Sequence, residues 1–316
     1  SLLDQFTRST GVLHASYCRL LDDVPQLPSA LVDGFAPAQA EAVAAIDPAW
    51  ARERAGRLLE TLDDPLAPAL EQAELSSISG GSALLEDQSQ CPFRAFAKRR
   101  LGVEPLPAAN LALSAADRGA LLHDALNALW ARLIDQRSLL ALGAAEEAVV
   151  VEEAAQHAIA EFPARRRRLL GPAYWRLEAQ RMASLLREWL ALERQRGEFL
   201  VLQREQDIFL DLGGLQLRLR VDRIDQLPDG SRVIIDYKSA VGKVKDWLGE
   251  RPAKPQLLLY AIAAPGAAAA LAFAQVRPRD ARFVGLGRIA AAPGISTELG
   301  KVAREYIDDA DWEALN

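Results

Sequence analysis

LRLRVDRIDQLPDGSRVIIDYKS, residues 217 to 239, decides how this chain is read. Leu217, Leu219 and Val221 alternate with Arg218, Arg220 and Asp222, the period-two pattern of a strand with one buried face, which turns Asp222 to the polar side. Pro228, Asp229 and Gly230 then supply turn chemistry, proline by fixing φ and glycine by accepting positive φ. The next run opens with Ser231 and Arg232, passes through the apolar Val233, Ile234 and Ile235, and closes with Asp236, Tyr237 and Lys238. A hairpin is the simplest reading, and a period of two puts Asp236 and Lys238 on one face.

Two carboxylates close together on one sheet repel unless something positive lies between them, and a hard divalent cation is the usual solution. Mg²⁺ or Mn²⁺ follows as the expected cofactor, with Asp222 and Asp236 as ligands. A lysine beside them can orient or deprotonate water, or stabilise charge on a phosphate under attack. The alternative is a surface hairpin with a solvated pair between Lys238 and one aspartate.

Upstream, SAADRGALLHDALNALWARL opens with Ser114 and Asp117 in a capping-box arrangement, and Leu122, Leu126, Leu129 and Leu133 form an apolar stripe with His123 beside it. By itself such a histidine reads as a satisfied boundary residue. Downstream, KPQLLLYAIAA has helical character after Pro255, and Gln256 and Tyr260 project from one face four residues apart. Glu205, in FLVLQREQDIFLDL, reads equally as a neighbour of the aspartates or as an exposed strand glutamate; Arg223 and Asp225 share that ambiguity.

Taken in order, RG-x3-H from Arg118 to His123, VDRID around Asp222, IIDYKS around Asp236 and Lys238, and Gln256-x3-Tyr260 resemble the RecB/AddB-type branch of the PD-(D/E)XK nucleases. SGGSALLEDQSQCPFRAFAKRRLG is similar to the entry helix of those domains, so the resemblance spans roughly residues 77 to 290. It implies His123, Asp222 and Asp236 as side-chain metal ligands, the Tyr237 carbonyl as a further one, and Lys238 as the catalytic lysine. Asp222, Asp236 and Lys238 would carry the hydrolysis, with Gln256, Tyr260 and Arg118 in support. The implied activity is metal-dependent DNA cleavage, with exonuclease the expected mode, in repair or recombination beside a helicase domain or subunit. The rival reading is a non-catalytic DNA-binding or scaffolding module that keeps the nuclease shape, and a third is a structural metal-binding domain.

Some relatives of this branch hold an iron-sulfur cluster with one cysteine before the nuclease motifs and three after. The chain has only Cys18 and Cys91, neither of them after Lys238, so no cluster is expected. Cys91 reads as a stranded cluster ligand or a buried thiol. Two cysteines suit a reducing, cytoplasmic setting, and no apolar run reaches the roughly 18 residues of a membrane span.

The formal charge of −6 argues mildly against a DNA partner, yet its distribution matters more than its sum. Four of the six lysines, Lys238, Lys243, Lys245 and Lys254, fall between the second strand and the Gln256 helix, where they could line a DNA channel. A second basic stretch runs from Arg165 to Arg168 and on to Arg176, Arg181 and Arg187; its plainer reading is a solvated helix face.

The expected fold is α/β: a central mixed sheet flanked by helices, restriction-endonuclease-like, with a large helical insertion between His123 and the strands. Residues 1–76, rich in proline, are expected to form a linker or the end of a preceding helicase-like domain, with a helical pattern from Pro48 to Leu62. Residues 77–316 are expected to form the nuclease domain, cut short in DADWEALN, which reads as the start of a helix.

Overall fold

The computed structural model describes residues 70–104 apart from 76, 77 and 79, residues 112–302 apart from 265, and scattered positions before 70. The pattern from Pro48 to Leu62, Cys18 and the DADWEALN segment lie outside the described residues. The chain divides into two compact units, Ser1–Pro68 and Ala69–Asn316. In the first, β1 (Leu20–Leu21) and β2 (Val24–Pro25) pair antiparallel.

The second unit is organised on a six-stranded mixed sheet of order β3-β4-β5-β6-β7-β8. β3 (Leu200–Leu212), β4 (Leu215–Gln226) and β5 (Arg232–Lys238) run antiparallel in turn. β6 (Ala268–Gln275) lies parallel to β5, β7 (Arg282–Gly287) antiparallel to β6, and β8 (Ile295–Ser296) parallel to β7. Before the sheet come α1 (Ser82–Gln90), α2 (Ala115–Leu133), α3 (Ala144–Glu161) and α4 (Pro172–Glu193). α5 (Gln256–Ala263) makes the crossover that a parallel β5–β6 pair requires. The expected mixed sheet flanked by helices, with its helical insertion, is the fold observed.

Local chemistry accounts for these elements. Ser114 and Asp117 close the capping box at the start of α2, each side chain bonding the other's backbone N–H at 3.1 and 3.0 Å. Arg166 bonds both Asp117 oxygens, and that hydrogen bond, outweighing burial, holds the carboxyl down at about 2. Pro172 opens α4, where its missing N–H costs nothing. β6 is a run of alanines, a helix-former by propensity, yet it is buried along its whole length between β5 and β7. Tertiary context overrides propensity there.

Two apolar cores lie on the two faces of the sheet. Val233, Ile235 and Tyr237 face the layer of α2, α3 and α4, including Leu126, Trp130 and Trp189. Ile234 faces the other way, with Trp247, Leu257, Tyr260 and Phe273. The alternation along β5 thus sends Asp236 and Lys238 toward α5 and Tyr237 toward the helical layer. Among the described residues, no helix is long and apolar enough to cross a membrane.

The helical side also buries charge. The Arg223 guanidinium meets Asp225 with two bonds of 2.6 and 2.8 Å, Glu193 at 2.7 Å and the Tyr237 hydroxyl at 3.2 Å. Arg196 joins Glu193 at 2.7 Å and Asp225 at 2.8 Å, so two arginines balance two carboxylates, all with side chains of 0% exposure. Arg223 stacks 3.8 Å over Trp130. Replacing Arg223 with alanine should destabilise the protein by about 3–5 kcal/mol, because it leaves two buried carboxylates with Arg196 alone between them. Urea unfolding checks this; a loss below about 1 kcal/mol would mean the network contributes little.

Candidate active site

The site begins with a turn. Gly213 and Gly214, with φ of 62° and 91°, form the two-residue connection of the β3–β4 hairpin, a conformation that favours glycine at both positions. It closes with Leu212 opposite Leu215, and the register runs down through Asp207 opposite Arg220 and Gln206 opposite Val221. The next step carries Glu205 across from Asp222. On the other side, the β4–β5 ladder ends at Arg223 opposite Ile235, and its continuation sets Asp222 across from Asp236. Three carboxylates on three neighbouring strands therefore form one row.

Where the ladder stops, the Asp222 side chain substitutes for it: its Oδ2 accepts the Tyr237 backbone N–H at 2.7 Å. His123, reaching from α2, places Nδ1 3.3 Å from Glu205 Oε1 and 3.6 Å from Asp222 Oδ1. Its Nε2 lies 3.2 Å from the Tyr237 carbonyl. Glu205 has φ 44°, a left-handed conformation that costs a non-glycine residue roughly 1–3 kcal/mol and clusters at functional sites.

Lys238 Nζ sits 2.7 Å from Asp236 Oδ2 and donates to Gln256 Oε1 at 2.9 Å. Gln256 in turn donates to the Tyr260 hydroxyl at 2.5 Å, and that hydroxyl donates to the Arg220 carbonyl. The i, i+4 pair on α5 thus holds the lysine head from one side and ties to β4 on the other. An open cavity of about 590 Å³ in front of Glu205 and Asp222 is lined by Gly81, His123, Arg218, Gln256 and Tyr260, among others, with Asp236 buried behind it. Gly81 has φ 52° and passes so close to β4 that a Cβ there would lie 2.5 Å from the Arg218 carbonyl oxygen.

Burial governs the electrostatics. It pushes the Asp222 carboxyl up to about 8, with the charge of Asp236 adding to the effect. Asp236, fully buried, is raised by burial, and Lys238 opposes that rise. Burial pulls the His123 imidazole down, but its hydrogen bond to Glu205 and the charges of Asp222, Glu205 and Asp236 prevail and raise it to about 9. Burial also raises the Tyr260 hydroxyl, which stays protonated and able to donate.

These residues fit a divalent cation. Neither oxygen of the buried Asp236 carboxylate accepts a well-directed hydrogen bond; Lys238 lies at ion-pair distance but off the hydrogen-bonding direction. Ligand atoms of His123, Glu205 and Asp222 lie within 4.8 Å of one another. Carboxylate oxygens, a carbonyl and an imidazole are a donor set suited to Mg²⁺ or Mn²⁺.

Of the residues singled out from sequence, His123, Asp222, Asp236, Tyr237, Lys238, Gln256 and Tyr260 converge here. Lys243 and Lys245 are exposed on the segment after β5 and do not line the cavity. Lys254 pairs with Glu86 of α1, and Arg118 lies 3.7 Å from Glu178 at a separate cleft. Arg223 and Asp225 point into the helical side. Glu205 resolves toward the cluster, and hairpin counting from Gly213-Gly214 is the signal in the sequence that places it opposite Asp222.

Two predictions follow from the burial of these carboxylates. Asp236→Asn removes a buried carboxylate with no well-directed partner, so in EDTA it should raise stability by about 1–3 kcal/mol. It should also abolish any Mn²⁺-induced rise in melting temperature; a destabilised variant that still responds to Mn²⁺ would contradict both expectations. The second concerns pH. Without a cation, Asp222 and His123 hold protons more tightly folded than unfolded, so their contribution to stability is full below their ordinary values of 3.8 and 6.5. It drains away as pH rises through about 8 and about 9. A cation needs the same groups deprotonated, so the melting-temperature gap between Mn²⁺-saturated and EDTA-treated protein should widen toward alkaline pH.

Comparison with known proteins places this geometry in context. Residues 83–316 match the family model of the PD-(D/E)XK nuclease superfamily. No curated protein matches the chain. The match takes in α2, every strand of the large sheet and α5, and the chain belongs to the PD-(D/E)XK nuclease superfamily.

Proposed function

We propose that this protein is a Mg²⁺- or Mn²⁺-dependent deoxyribonuclease that hydrolyses DNA phosphodiester bonds. The observation carrying this reading is the row of Glu205, Asp222 and Asp236 with Lys238 2.7 Å from its last member. Asp222, Asp236, His123 and the Tyr237 carbonyl would hold the cation. When bound, it supplies Lewis-acid polarisation of a phosphate oxygen and lowers the pKa of water.

The chain's own residues do the rest. Lys238, held between Asp236 and Gln256, has a side chain 32% exposed, its ammonium positioned to orient a water or to neutralise charge on the attacked phosphate. Gln256 and Tyr260 fix the lysine head; their bonds leave it little freedom to swing away. Asp222 accepts the Tyr237 N–H with one oxygen, which fixes the peptide joining Asp236 to Tyr237 beside the site.

The finer reading rests on the resemblance to RecB/AddB-type nucleases. It is an exonuclease module acting in DNA repair or recombination, with DNA delivered by a helicase domain or subunit, in the cytoplasm. Labelled linear single- and double-stranded DNA should be cleaved with Mg²⁺ or Mn²⁺ and left intact in EDTA. Asp236→Ala and Lys238→Ala should each lower the rate by about 10²-fold or more. Metal and DNA binding without cleavage by the wild type would instead favour a scaffold.

A further inference from the structure

The end of β5 separates two openings: the cavity with the carboxylate row, and a cleft of about 240 Å³ lined by Arg118, Arg181, Arg277, Ser239 and apolar neighbours. The second opening is tied to the lysine strand by backbone. Val276 N donates to the Lys238 carbonyl at 2.9 Å, so Arg277 is held at the strand's end. From the other side, Gly119 passes Ser239 closely enough that a Cβ there would lie 4.0 Å from its Oγ, which sets Arg118 beside the residue following Lys238.

Charge in the cleft is unbalanced. Glu178, buried, serves both Arg118 at 3.7 Å and Arg181 at 2.9 Å. Asp280 serves both Arg277 at 3.2 Å and Arg282 at 3.5 Å. Three of these guanidinium groups, Arg118, Arg181 and Arg277, line the cleft, and none of its lining residues is a carboxylate, a local excess of positive charge on a chain whose formal charge is −6. The floor, Leu122, Leu185 and Val276, is buried and apolar, which lowers the local dielectric and strengthens attraction for an anion. The excess cationic surface is guanidinium, whose planar fork matches a tetrahedral oxyanion in two-point contact.

We propose that this cleft binds a backbone phosphate of the DNA strand, next along the chain from the phosphate placed before Lys238. The proposal rests on the nuclease reading. It assigns Arg118 and Arg277 to gripping the strand, with Arg181 positioning Arg118 through their shared Glu178. The strand would then cross the end of β5 with one phosphate in the cavity and another in the arginine cleft.

The test is binding of a fluorescein-labelled single-stranded oligonucleotide in EDTA, where cleavage cannot intervene, titrated across a range of salt. Arg118→Gln/Arg277→Gln should weaken binding and reduce the slope of log affinity against log salt by about 1. Arg118→Lys/Arg277→Lys should retain the slope, and Arg137→Gln, at an arginine 88% exposed and away from the cleft, should match wild type. Melting temperatures confirm folding, and Mg²⁺-dependent cleavage by the wild type is measured in parallel. An unchanged slope in the double glutamine variant, with wild-type cleavage intact, overturns the cleft while leaving the nuclease reading standing. So does a variant that loses binding of inorganic phosphate alone, which would make the cleft a small-anion site. A wild type that neither binds nor cleaves DNA defeats the nuclease reading and the cleft with it.

Discussion

Repulsion between Asp222 and Asp236 is the constraint around which this domain is arranged. The strand register brings the two carboxylates face to face in the interior, where their charges interact far more strongly than in water. Everything nearby answers that charge: the Tyr237 amide on Asp222, the ammonium of Lys238 on Asp236, the imidazole of His123 facing Asp222 and Glu205. Without a cation burial keeps protons in the site, and at Asp222 the charge of Asp236 adds to it. The protein tolerates a locally unfavourable arrangement because the flanking cores hold the strands in register.

The second buried charge system has the opposite character. Arg196, Arg223, Glu193 and Asp225 form a charge-balanced set in which Arg223 makes directed bonds to both carboxylates, Arg196 Nη2 is left without a hydrogen-bond partner, and Arg223 is flanked by an aromatic ring. Tyr237 joins the two systems, its hydroxyl on Arg223 and its carbonyl beside His123. A charge-balanced network thus fixes a strand whose other face carries a buried carboxylate without a directed hydrogen bond.

Much of this was legible in the sequence. The alternation from Leu217 to Val221, the turn at Pro228 to Gly230 and the capping box at Ser114 depend on short-range rules, and they appear as read; past Val221 the alternation gives way to a buried run, and Asp222, read onto the polar side, is buried because the flanking layers cover both faces of the sheet there. Asp222, Asp236 and Lys238 came from the same period-two pattern. Bringing His123 and the Tyr237 carbonyl into the site needed the family resemblance, because no local pattern shows that a distant helix will set a histidine against these strands. Glu205, Arg223 and Asp225 stayed ambiguous because burial of a charged strand residue is decided by what packs on the sheet. That covering layer comes from α2 and α4, distant in sequence. The Arg165 to Arg168 stretch is largely solvated, as read, with Arg165, Arg166 and Arg168 exposed; what the sequence did not show is that Arg166 also bonds Asp117.

β3 is the first strand of the sheet, and beyond its start, where Val201 bonds the Ile134 carbonyl, no further strand pairs with it among the described residues. A long flat edge of this kind invites pairing with another chain. The left-handed turn of the backbone at Glu205 interrupts the extended run and directs a carboxylate inward. The residue that completes the acidic row therefore also bends the edge strand, as does the register shift between Val201 and Gln203, and both make it a poorer template for pairing.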